Sequence, residues 1–323
     1  MKKVLVAAAV ASAFAGAASA QNVTMYGLLD ATYAQIKTGS TSVTAQGQGD
    51  YLGSSSFGFR GEEDLGGGLK ASFQLEGDLN MGNGTGDGGE NTVTTSTTNT
   101  VGGLTFDRQA WVGIKNNDVS FRMGRLSDFG DATYGSFGQM INLFDVDTSL
   151  GSKNSNTTEI TLKAMGVELV GTYSNDTGAV AAGTGQATSQ STMGVAGTVA
   201  GVKYRAGYIE QGAKSETLLG LQTTVGAATV GFLINKIDNA TFKTGNTQLT
   251  VAYPLGNGVT GYANATNYSN DTTATSKFSF YGVMLTKDLS KRTTVFAGYS
   301  SKDVNNGTTT DQTISTLGLQ HKF

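Results

Sequence analysis

The strongest constraint on this chain is an alternation of side-chain character with period two, which returns in segment after segment from Val23 to the terminal Phe323. Val23, Met25, Leu29, Ala31 and Tyr33 alternate with Thr24, Tyr26, Asp30 and Thr32. Leu69, Ala71, Phe73 and Leu75 alternate with Lys70, Ser72, Gln74 and Glu76, and Val202, Tyr204, Ala206 and Tyr208 with Lys203, Arg205 and Gly207. Successive side chains of a strand point to opposite faces, so each segment carries one apolar and one polar face. Helical periodicity is nearly absent. The chain is all-β.

A soluble sandwich would show the same alternation with its apolar face inward. Three features favour the inverse. The segments run about nine to twelve residues, enough to cross a bilayer at a tilt, whereas sandwich strands average about five or six. Tyr and Phe recur near segment ends, as in an interfacial girdle. The opposite face is polar or charged in almost every segment, which suits a wet lumen. Sixteen such segments run from 22–36 and 50–62 to 292–301 and 312–323. An even count fits a closed antiparallel barrel, whose first and last strands must pair because no water satisfies an open edge in hydrocarbon. Tight turns at Asn116-Asn117-Asp118, Ala200-Gly201 and Leu255-Gly256-Asn257-Gly258 alternate with long polar connections at 37–49, 82–103, 127–156 and 176–190. The expected fold is a 16-stranded antiparallel transmembrane β-barrel.

Lys2 and Lys3, the apolar run from Val4 and the Ala18-Ser19-Ala20 ending read as a cleavable export signal over 1–20, with a barrel domain over 21–323. The absence of Cys excludes a disulfide framework or thiolate metal site, and a formal charge of −3 gives no footing for nucleic acid.

Residues 127–156 differ from the other long connections. Phe129, Tyr134, Phe137, Ile141, Leu143, Phe144 and Val146 are too many apolar side chains for a solvated loop. Packing inside the barrel wall would satisfy them, narrow the pore, and bring Asp128, Asp131, Asp145 or Asp147 near the axis. By parity Arg60, Lys70, Arg122, Lys163, Lys203 and Arg205 face the lumen, together with Glu76. Acids on the loop against bases on the wall would set up a transverse field, and charges lining a pore set ion preference. Arg108 and Arg125 share parity with apolar neighbours, so they belong at rims or beside local partners.

Catalysis finds no foothold. The one histidine, His321, lies beside the terminus, and the acids show no metal-ligand spacing. No cofactor or metal is expected. The competing readings are a substrate-selective outer-membrane channel and, less favoured, an outer-membrane enzyme.

The run Phe57-Gly58-Phe59-Arg60-Gly61-Glu62-Glu63-Asp64-Leu65-Gly66-Gly67-Gly68-Leu69-Lys70-Ala71, with Val23-Thr24-Met25-Tyr26-Gly27, Arg108-Gln109-Ala110-Trp111-Val112-Gly113, Met123-Gly124-Arg125 and the aromatic ending at Phe323, resembles the general diffusion porins of Gram-negative bacteria, in their β-proteobacterial branch. The resemblance implies a homotrimer in the outer membrane, passage of ions and small hydrophilic solutes, an inward third loop facing arginines, and a role for Phe323 in recognition by the barrel-assembly machinery. Ser56 stands where the family often carries a further basic residue.

Overall fold

Two-residue turns set the register at one rim. Met165 and Gly166 (φ 52° and 77°), Ala200 and Gly201 (48° and 80°), and Asn257 and Gly258 (52° and 72°) all have left-handed backbone. Two successive left-handed residues make the hairpin turn whose twist matches that of the flanking strands, and the glycine takes this conformation without strain. The structure, a computed structural model, describes residues 22–46, 51–82, 84, 105–138, 150, 153–176, 189–239, 242–270, 277–304 and 311–323.

The elements are β1 (Asn22–Thr38), β2 (Thr41–Gln46), β3 (Ser56–Gly66), β4 (Leu69–Asp78), β5 (Gln109–Lys115), β6 (Val119–Ser127), the short helix α1 (Phe129–Thr133), β7 (Lys153–Ala164), β8 (Val167–Asp176), β9 (Gln190–Val199), β10 (Val202–Gln211), β11 (Lys214–Val225), β12 (Ala228–Asn239), β13 (Phe242–Gly256), β14 (Val259–Asn270), β15 (Phe278–Asp288), β16 (Thr293–Val304) and β17 (Gln312–Lys322). From β3 onward each strand pairs antiparallel with the next, and β1 pairs with β17 from Leu28↔Lys322 to Thr38↔Gln312. On its other edge β1 pairs with β3 below and β2 above, so these two strands share one place in the ring. The result is the closed 16-stranded barrel expected from the alternation.

The C-terminus completes the seam. Gly27 and Phe323 exchange two backbone hydrogen bonds of 3.1 Å, and the Phe323 ring lies on Gly27 so closely that a Cβ there would sit 2.3 Å from it. Closure pairs the first strand with the last, so the ends of the sheet do not face hydrocarbon as open edges.

The barrel is apolar outside. Met25, Val112, Met193, Val283 and Leu317 are all at least half exposed, while their strand neighbours Asp30, Thr192 and Thr316 are buried. Tyr33, Tyr173, Tyr208, Tyr281 and Tyr299 also project outward, toward the rim with long connections, where an amphipathic ring meets the membrane interface. Among the described residues no helix is long and apolar enough to cross a membrane; the crossing is made by strands.

Two local expectations need correction. The connection over 37–49 contains β2, which extends the first hairpin. The second strand, expected from residue 50, starts only at Ser56, because residues 51–55 leave the sheet.

Candidate functional site

The third long connection enters the barrel at the end of β6. Asp128 caps α1: its Oδ1 accepts from the Asp131 backbone N–H at 3.0 Å, satisfying a donor that the first helical turn leaves open. Its Oδ2 accepts from the Gln190 side chain at 2.9 Å, and Gln190 also bonds Asn154 and the Leu150 carbonyl. Glu216, fully buried, accepts from the Leu150 backbone N–H at 2.7 Å and from Asn235 at 2.9 Å. The connection is therefore pinned to the wall on both sides of residues 139–149.

Apolar contacts add to these pins. Phe129, 2% exposed, packs with Val170, Ala196, Ile209 and Leu218, side chains that point inward from β8 to β11. Its ring lies over Gly194 and Gly207, which are register partners on β9 and β10; a Cβ would come within 2.6 and 2.9 Å of it. A turn of wider helix, Tyr134–Gly138, follows α1 and lays Phe137 over Gly220, with 2.7 Å to a built Cβ. The wall has been emptied of side chains at the places where the loop's aromatics rest. The described residues of the loop lie against the inner wall; Ile141, Leu143, Phe144 and Val146 of the expected apolar set lie outside the described residues.

Placement of the expected site residues is uneven. Asp128 is not a pore acid: capping and the Gln190 bond bury it to 1%. Asp131, in the first turn of α1, stays partly exposed. Asp145 and Asp147 lie outside the described residues. On the wall, Glu76 accepts from the Tyr26 hydroxyl at 2.7 Å and pairs with Arg108 Nε at 2.6 Å, while the other arm of Arg108 reaches Asp78. Arg122 donates to Glu159 through Nε and Nη2 at 2.9 and 2.6 Å and lies 4.9 Å above the Trp111 ring. Arg205 lies 4.2 Å above Phe129 and donates to the Thr133 hydroxyl at 3.0 Å, so it braces the loop. Arg60 lies 5.0 Å above Tyr26 and makes no salt bridge among the described residues. Arg60, Arg122 and Arg205 each set a guanidinium over a ring, an attraction of about 0.5–2 kcal/mol. Lys70 and Lys115 share Glu62 at 2.5 Å each near the short-turn rim, and Lys163 and Lys203 flank the turns at Met165 and Gly166 and at Ala200 and Gly201. Arg125 is stabilised by local partners, the Asp107 carbonyl and the Ser155 hydroxyl.

Beneath α1 a cavity of about 350 Å³ is lined by Trp111, Arg122, Glu159, Lys163, Glu168 and Arg205. It contains both signs of charge and several hydroxyls, an environment that substitutes for the hydration of small polar solutes. Among the described residues no cluster of His, Asp or Glu could hold a metal ion.

Sequence reasoning missed the glycine sockets and the pairing of Arg108 with Glu76 and Asp78 and of Arg122 with Glu159. The first carried a signal: Gly194, Gly207 and Gly220 fall at inward parity on three consecutive strands, beside apolar Ala196, Ile209 and Leu218 at the same parity.

A barrel closed in this way, with a loop docked inside, is the architecture of outer-membrane porins. Compared with solved structures, it superposes on an anion-selective porin from Comamonas acidovorans with a TM-score of 0.77 and 20% identity, covering 94% of this chain and 100% of that one. It superposes on OmpT of Vibrio cholerae with a TM-score of 0.65 and 13% identity, covering 94% and 98%. The chain belongs to the Gram-negative porin family, whose profile matches residues 7–307. It is 36% identical over 126 residues to outer membrane porin protein 32 of Delftia acidovorans, covering 39% of this chain and 32% of that protein. It is also 36% identical over 148 residues to an outer membrane porin protein of Bordetella pertussis, covering 41% and 34%. The matched stretch thus spans about a third of each curated relative. Family and fold together assign the protein to the outer membrane.

Proposed function

We propose that the protein is a passive, non-enzymatic channel through which ions and small hydrophilic solutes cross the outer membrane, narrowed by its third long connection. The observation that carries this reading is a closed barrel, apolar outside and polar within, holding a loop pinned to its inner wall by Phe129, Phe137 and Glu216.

Within that reading the charges have unequal weight. An arginine matched by a carboxylate presents a dipole to the pore rather than a net charge, so Arg108 and Arg122 contribute little to ion preference. Arg60, Arg205, Lys163 and Lys203 supply the basic side of the field, and Asp131, with Asp145 and Asp147, the acidic side. Reversal potentials of bilayers in a salt gradient test this. Arg60→Ser should move the potential toward cations and Asp131→Asn toward anions; an unmoved potential in both would place the permeation path elsewhere.

Residues 1–20 are removed on export. Phe323, at the seam, also serves recognition by the barrel-assembly machinery. Three copies associate through the wall around β1 and β17. An apolar hollow of about 540 Å³ on that outer wall, lined by Ala31, Tyr33, Val295, Leu317 and Leu319, supports such packing.

A further inference from the structure

We infer that the segment 51–55 is a second constriction element, anchored by Tyr51, that narrows the pore from a part of the wall that the described residues of the third connection do not reach. The inference rests on the channel reading above and adds a determinant of bore to it.

Three observations carry it. First, the sheet is broken where the segment departs. β1 pairs with β3 up to Leu28 and with β2 from Tyr33, so the strand ladder on that edge is interrupted over 29–32. A side chain mends the gap: Ser55 Oγ accepts from the Asp30 backbone N–H at 2.8 Å and donates to the Asp30 carbonyl at 3.3 Å. A chain that surrenders ladder bonds in a barrel needs a compensating contact.

Second, Tyr51 supplies that contact. It is 1% exposed and packs with Ala34, Met284, Phe296 and Ile314, with Leu52 and Tyr262 alongside. Ala34, Met284, Phe296 and Ile314 lie on β1, β15, β16 and β17 at the inward parity, as the outward exposure of Tyr33, Val283, Leu285 and Leu317 requires. Apolar side chains on the wall of an aqueous pore are unfavourable unless covered, and Tyr51 and Leu52 cover these. Third, the segment lies flat on the wall: a Cβ on Gly53 would be 3.1 Å from the Gln320 amide and 3.5 Å from Leu28.

The described residues of the third connection dock on β8 to β13 and this segment on β14 to β1. Among the described residues the two together line one continuous arc of the inner wall. The path for solutes then runs along the opposite arc, β3 to β7, where Arg60, Glu76, Trp111, Arg122 and Glu159 face inward.

The test is the unitary conductance of the full-length protein in planar bilayers. The wild type conducts. The double variant Tyr51→Ala, Leu52→Ser should conduct roughly 1.5-fold more, because bulk standing inward from the wall is removed, while Tyr51→Phe should match the wild type. A double variant that retains the heat-dependent gel mobility of a folded barrel but has wild-type conductance overturns the inference. If that variant does not fold, Ser54→Cys in this cysteine-free chain gives a second reading. Full modification with a bulky thiol reagent should lower the current, and an unchanged current overturns the inference. A wild type that passes no current at all overturns the channel reading and this inference with it.

Discussion

Phe129 and Tyr51 each bury an aromatic ring against the inner wall, but their sockets are built differently. Phe129 packs beside Val170, Ala196, Ile209 and Leu218 but rests on Gly194 and Gly207, so part of its contact is with glycines that carry no side chain. Tyr51 sits among Ala34, Met284, Phe296 and Ile314, so its ring touches side chains. A backbone socket cannot yield to anything added to it. A side-chain nest can relax around small additions, but it loses its purpose when the ring is trimmed. The third connection should therefore be most sensitive to changes in the wall, and the segment 51–55 to changes in itself.

The largest effect is expected from filling the glycine socket. Gly194→Leu places new atoms where the Phe129 ring lies, on a strand backbone that accepts any residue. The barrel should still form, with the third connection displaced and conductance raised; wild-type conductance in a folded variant would break the contrast between the sockets. Phe129→Ala comes next. Removing a buried ring costs about 3–5 kcal/mol of docking, and limited proteolysis from the outer face should then cut within 127–156 where the wild type resists.

Selectivity variants sharpen a second contrast, between paired and unpaired arginines. Arg60→Ser should shift the reversal potential, whereas Arg122→Gln combined with Glu159→Gln should leave it near the wild-type value, because that pair adds no net charge. An equal shift from both would show that pairing does not mute Arg122. Asp128→Ala should cost about 0.5–2 kcal/mol through the lost cap, more if Gln190 is left unsatisfied, and should lower thermal stability with little change in ion preference. His321→Ala, at the exposed rim beside Thr293 (Oγ1 to Nδ1 2.9 Å), should change neither conductance nor stability.

Most of the ring was legible in the sequence because a transmembrane strand writes its two faces into alternate residues. What the alternation hid were its own exceptions. Ala34, Met284, Phe296 and Ile314 occupy the inward parity but read as ordinary strand residues one at a time; only the closed barrel brings β1, β15, β16 and β17 together and shows a nest. Tyr51 likewise continued the alternation into 50–62, and nothing local reveals that five residues leave the sheet. The apolar content of 127–156 pointed inward, and Phe129 and Phe137, among its described residues, rest on the inner wall. Charge alone could not separate Asp128 from Asp131, because a cap and a pore acid have the same side chain and differ only in which groups lie within hydrogen-bonding reach. Parity likewise identified Arg122 as inward but could not show Glu159 bound to it from the neighbouring strand.

The unitary conductance of the wild-type protein in planar bilayers, followed across a series of potassium chloride concentrations, tests the water-filled pore most directly. Discrete steps that stay linear in voltage and rise in proportion to salt are the result expected of a lumen filled with electrolyte. Steps that saturate at low salt, or membranes that stay silent with folded protein inserted, would contradict it.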